Sequence, residues 1–91
     1  MPKPQFSEVW KRVETLAGEV CHTKSGLPFT YRVSGNVVTT SRTKHQLSRT
    51  DFETAFRLAP LSGPAEINEL VRGPAYIWAI LHDARISGGA W

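Results

Sequence analysis

The 91-residue chain has a single cysteine, Cys21. That excludes an internal disulfide framework and any Cys-rich zinc site. A reducing, cytoplasmic setting is the expectation that goes with it. Long apolar runs are missing too. The longest, PAYIWAILHDARI, falls short of the roughly 20 residues a membrane-spanning helix needs. The first ten residues, MPKPQFSEVW, carry no apolar h-region, so no secretory signal is expected there. There is no internal repeat and no low-complexity tract.

Signatures of catalysis are absent as well. No Gly-x-Ser-x-Gly, phosphate-cradling glycine loop or dinucleotide fingerprint occurs. Cys21 and His22 are adjacent in a predicted strand, so they point to opposite faces and form no dyad. The histidines, His22, His45 and His82, are not three or four apart on any predicted helix, and no Cys-x-x-Cys exists, so no metal site is expected. A nuclease would gather carboxylates around Mg²⁺, and the acids here are scattered. Neither an enzyme nor a cofactor is expected.

The most informative absence is local. Residues 20–49 contain Lys24, Arg32, Arg42, Lys44 and Arg49 but no Asp or Glu; all eight acids lie outside that window. The formal net charge of +3 is unremarkable in itself. Its concentration in the middle of the chain is not.

What is present reads as one small globular domain over residues 1–91, with 1–5 as a flexible arm and 87–91 as a tail. Three Trp, four Phe and two Tyr supply a core. Residues 7–17 read as a helix, with Ser7 as N-cap and Val9, Trp10, Val13, Leu16 and Ala17 on one stripe. Three strands follow at 19–24, 28–34 and 37–42. Gly35-Asn36 suits a type II′ two-residue hairpin, which pairs Val33 with Val38, Arg32 with Thr39 and Tyr31 with Thr40. Phe29, Tyr31, Val33 and Val38 then face the core, and Thr30, Arg32, Ser34, Val37, Thr39 and Ser41 face solvent. A four-residue loop at SGLP would set His22 beside Tyr31 on the buried face, as a hydrogen-bonded core histidine. A second helix runs over 48–58, with Ser48 and Asp51 approximating a capping box and Pro60 ending it. A short helix at 65–71 and an apolar one at about 74–85, begun by Pro74, complete the chain. The order αβββααα predicts a small two-layer α+β domain with a three-stranded antiparallel meander. A winged-helix-like arrangement is one form it can take.

Positive charge gathers where the third predicted strand meets the second helix, in VTTSRTKHQLSRTDF. Arg and Lys contact phosphate by charge and fork geometry, and Ser, Thr and Asn add hydrogen bonds. The N-terminus of the 48–58 helix could add free N–H groups. The expected function is therefore nucleic-acid binding, DNA ahead of RNA, with Arg42, Lys44, His45 and Arg49 as main contacts and Lys24 and Arg32 extending the patch. The plain alternative is a solvated loop. As a DNA reader, helix 74–85 is too apolar; 48–58, with Arg49, Thr50, Thr54 and Arg57, is better placed. Base stacking on Phe29 and Tyr31 is disfavoured, because the register turns both inward. The alternative of another class is a protein-interaction or dimerisation module, using the apolar 74–86 helix or the strand edge at 19–24.

Overall fold

A computed structural model describes residues 4–42, 46–89 and 91. Helix α1 spans Phe6–Leu16 and buries Val9, Trp10, Val13 and Leu16, the stripe set by the 3.6-residue period. Its N-cap is Gln5, without a side-chain capping bond, so Ser7 does not play that part. Gly18, with φ +94°, turns the chain, and its N–H donates to the Tyr31 carbonyl.

Two small sheets follow instead of one. Strands β1 (Cys21–His22) and β2 (Pro28–Phe29) form an antiparallel pair. Strands β3 (Tyr31–Ser34), β4 (Val37–Thr40) and β5 (Gln46–Ser48) form a three-stranded antiparallel sheet in that order. The predicted hairpin register is the observed one: Tyr31 opposite Thr40, Arg32 opposite Thr39, Val33 opposite Val38. Gly35 has φ +60° and, among the described residues, no non-glycine residue has positive φ, the sign pattern of a type II′ turn.

Two strand expectations are corrected. The first predicted strand pairs only with residues 28–29, and the third member of the main sheet is Gln46–Ser48, inside the predicted joint. His22 also changes sides. The pairing is His22 opposite Pro28, not opposite Tyr31, because the connecting loop holds five residues, 23–27. That is an odd shift in register, which reverses the face every side chain takes. Cys21 is thus the buried residue and His22 is exposed.

Helix α2 (Arg49–Leu58) begins as predicted, the Asp51 N–H donating to Ser48 Oγ at 3.1 Å. The Asp51 carboxylate does not reach back to close the box; it accepts from the Arg72 N–H at 3.3 Å. The predicted 65–71 helix is a 3₁₀ turn over Pro64–Ile67. The predicted 74–85 helix is two elements, α3 (Pro74–Leu81) and α4 (Ala84–Ser87). The break falls at Asp83, whose carboxylate caps α4 by accepting the Arg85 N–H.

One core joins all of this. Val9 and Val13 from α1, Tyr31, Val38 and Leu47 from the sheet, Phe52 from α2 and Ile77, Ile80 and Leu81 from α3 are essentially sealed from solvent. The helices cover the inner face of β3–β4–β5, and its other face stays wet. At the end of the chain Trp91 packs edge-on against Phe56, its indole N–H donating to the Leu81 carbonyl. Among the described residues no helix is long and apolar enough to cross a membrane.

Candidate nucleic-acid interface

Alternation along the strands decides which side chains meet solvent. The pairs Arg32–Thr39, Thr39–Gln46, Ser34–Val37 and Val37–Ser48 share the outer face of β3–β4–β5. Their partners one residue away, Tyr31, Val38 and Leu47, fill the core. The outer face thus carries hydroxyls, one amide and the half-buried Val37 around an exposed arginine. A shallow depression of about 310 Å³ lies over residues 30–32 and 39–41 of this ladder. No carboxylate borders it.

The predicted cations are distributed as follows. Arg32 stands on the outer face, exposed. Arg42 is exposed at the end of β4, its Nε donating to the Pro28 carbonyl at 2.6 Å, which tethers it beside β2. Ser41, between Thr40 and Arg42, braces the same corner by accepting the Thr30 N–H on its Oγ at 3.0 Å. Lys24 sits at the β1–β2 loop, its Nζ donating to the Ser62 carbonyl at 2.9 Å. Arg49 lies at the other end of the sheet, where its N–H donates to the Asn36 carbonyl. Its guanidinium is over the rings of Phe6 and Trp10, at 5.6 and 5.5 Å from their centroids. Lys44 and His45 lie outside the described residues. The ion pairs found among the described residues are Arg12–Glu8, Arg57–Glu53 and Arg85–Asp83. Lys24, Arg32, Arg42 and Arg49 are in none of them.

The structure does not gather these cations on one surface: Arg32 stands on the outer face, Arg42 is tethered beside β2, and Arg49 is apart from both. Because β5 runs back along β4, Arg49 is level with Asn36 and Arg42 lies beyond Thr39. Six residue rises along the sheet put them roughly 20 Å apart. The start of α2 is also less open to an anion than expected: Ser48 Oγ is occupied by the Asp51 N–H, and Asp51 adds its own negative charge there. On the outer side of α2, Thr54 Oγ1 donates to the Thr50 carbonyl and Arg57 pairs with Glu53 at 3.5 Å.

A second cluster was not visible in the sequence. Arg85 grips Asp83 with two bonds, Nε to Oδ1 at 2.9 Å and Nη2 to Oδ2 at 2.8 Å, and donates to the Val20 carbonyl at 2.8 Å. These bonds hold the Asp83 carboxyl below its ordinary range. Behind them Cys21 is buried, and its thiol is pushed up to about 11, first by burial and then by the Asp83 carboxylate. A thiol so placed is a poor nucleophile at neutral pH. Tyr31 is pushed above the usual phenol value, chiefly by burial, while its hydroxyl donates to the Val13 carbonyl at 2.6 Å. His82 serves the fold: its Nε2 accepts the Leu61 N–H at 3.0 Å, so Nδ1 carries the proton and donates to the Trp78 carbonyl at 3.1 Å. No group of three or more His, Cys, Asp or Glu able to hold a metal occurs among the described residues.

Helix α3 buries Ile77, Ala79, Ile80 and Leu81 in the chain's own core, and Tyr76 and Trp78 pack against that core half-buried. Comparison with protein-family models, with curated proteins and with solved structures returned no match for this chain.

Proposed function

We propose that this domain binds nucleic acid, DNA in preference to RNA, along the outer face of β3–β4–β5. The observation that supports the reading is an outer face with Arg32 beside the hydroxyls of Thr39 and Ser41, and Arg42 at the sheet's end, in a stretch without a single acid from residue 20 to 49. Such a face offers fixed donors and unneutralised charge to a chain of phosphates. Lys24 and the basic residues Lys44 and His45 would lengthen the contact. Arg49 falls outside this track, its guanidinium being engaged over Phe6 and Trp10. No cofactor enters this reading, and a cytoplasmic setting belongs to it, since a single cysteine allows no internal disulfide. Docking or dimerisation through α3 is the weaker alternative, because its apolar side chains already pack inward.

The test is the salt dependence of affinity, measured by fluorescence anisotropy on a labelled 20-nucleotide DNA. Each phosphate contact contributes about 0.9 to the slope of log K against log[salt] on duplex and about 0.7 on single strand. Arg32→Ala combined with Arg42→Ala removes two contacts, so the slope should flatten by about 1.4–1.8. An unchanged slope and affinity would remove both residues from the interface.

A further inference from the structure

Beyond the Arg42 corner the surface dips between the β1–β2 loop and the start of α3. The pocket there measures about 350 Å³, and its apolar lining is Leu27, Pro64, Ala75 and Tyr76. That volume lies at the lower end of the range of small-ligand sites. Among the described residues, Lys24 is the one charged residue that lines it. The nearby Glu66 turns its carboxylate to the Ser62 N–H and hydroxyl, at 2.6 and 3.1 Å.

The walls are preformed. Tyr76 is held edge-on by Phe29, with ring centroids 5.1 Å apart. The 23–27 loop is closed on itself: the Thr23 N–H donates to the Leu27 carbonyl at 2.9 Å, and the Leu27 N–H to Thr23 Oγ1 at 3.1 Å. Leu27 nevertheless stands 50% exposed at the rim, which core packing does not explain. The carbonyl of the next residue, Pro28, is the group that tethers Arg42. The pocket therefore adjoins the Arg42 corner.

We propose that this pocket receives one unpaired base of a single-stranded nucleic acid, with Lys24 and Arg42 on the flanking phosphates. The inference rests on the nucleic-acid reading and narrows it to single strands. A flat apolar base fits the chemistry of Leu27 and the Tyr76 ring, and stacking needs no particular base identity. A paired base inside a duplex cannot enter.

The experiment compares a labelled oligo(dT) with a strand of equal length that lacks bases, at fixed salt. Stacking of one base predicts tighter binding of oligo(dT) by roughly 5- to 150-fold, with the same salt slope for both strands. Tyr76→Ala should abolish that preference. Because Tyr76 touches Phe29, Leu27→Glu serves as a second variant at an exposed loop position and should do the same, with the fold checked by circular dichroism. Equal binding of the two strands with a normal salt slope would overturn the pocket and leave the polyanion reading standing. Binding of neither strand would overturn both. Self-association without DNA that Leu27→Glu abolishes would assign the pocket to a second copy of the chain and overturn the proposal.

Discussion

Removing one oxygen from Tyr31 tests how the sheet holds α1. The Tyr31 hydroxyl donates to the Val13 carbonyl at 2.6 Å. That carbonyl belongs to the last turn of α1, where the Ala17 N–H has gone to Glu14 instead. Tyr31→Phe therefore deletes a buried bond and leaves a helix-end carbonyl without its donor. A lost bond with an orphaned buried acceptor costs about 1–3 kcal/mol. A domain of this size has roughly 5–14 kcal/mol in total. At 4–8 °C per kcal/mol, Tm should fall by about 5–20 °C. In urea the midpoint should drop with the m-value unchanged, since the surface exposed on unfolding is the same. The hydroxyl also predicts a pH dependence. Its folded-state pKa is raised, so the unfolded state loses its proton first, at about 10. The contribution of Tyr31 is whole below that pH and is lost as pH rises beyond it. Cys21 acts in the same direction, from its ordinary value of 9.0 up to about 11. Wild type should therefore lose stability above pH 9, and Tyr31→Phe should lose less of it above pH 10. A Tm within 1 °C of wild type at neutral pH would refute the reasoning.

Three further substitutions probe the same frame. Thr40 is 5% exposed on the inner face opposite Tyr31, and its Oγ1 has no partner among the described residues; Thr40→Val should stabilise the domain by about 1 kcal/mol or more, read from urea unfolding. Gly73 has φ +63°, and a Cβ there would lie 2.5 Å from Leu47 Cδ2, a side chain sealed in the core. Gly73→Ala should cost about 2–4 kcal/mol from the left-handed backbone and the displaced leucine together. His82→Ala leaves the Leu61 N–H without its acceptor and should cost about 1–3 kcal/mol in the same assay.

Much of the frame could be read from residues alone, where local rules decide. The Gly35-Asn36 turn fixed the β3–β4 register, and so correctly sent Arg32 outward and Tyr31 inward. Ser48 announced the start of α2 and the apolar stripe that of α1. The failures lie where distant parts of the chain decide. Gln46–Ser48 is only three residues, too few to show alternation, and becomes a strand because the edge of β4 is available. The face of His22 depends on a loop length that SGLP does not specify, and a shift of odd length reverses it. The apolar run 74–85 hid its break, which comes from the Asp83 cap and the Arg85 clamp. For the site, the sequence offered which cations lack acidic neighbours, but not where each one ends. Arg49 was grouped with Arg42 by proximity in number, whereas its place is set by the rings of Phe6 and Trp10 on α1. The pocket beside Lys24 joins two loops and a helix start far apart in the chain, and its one local sign was an exposed leucine in a turn.

The most direct test of the interface is a ¹⁵N-labelled titration with a short single-stranded DNA, followed amide by amide. The account predicts the largest shifts at Arg32, Thr39, Ser41, Arg42 and Gln46, continuing to Lys24 and Leu27, with α1 and α4 nearly still. Shifts confined to the cations Lys11, Arg12 and Arg85, which line a groove beside α1, or none at millimolar DNA in low salt, would contradict it.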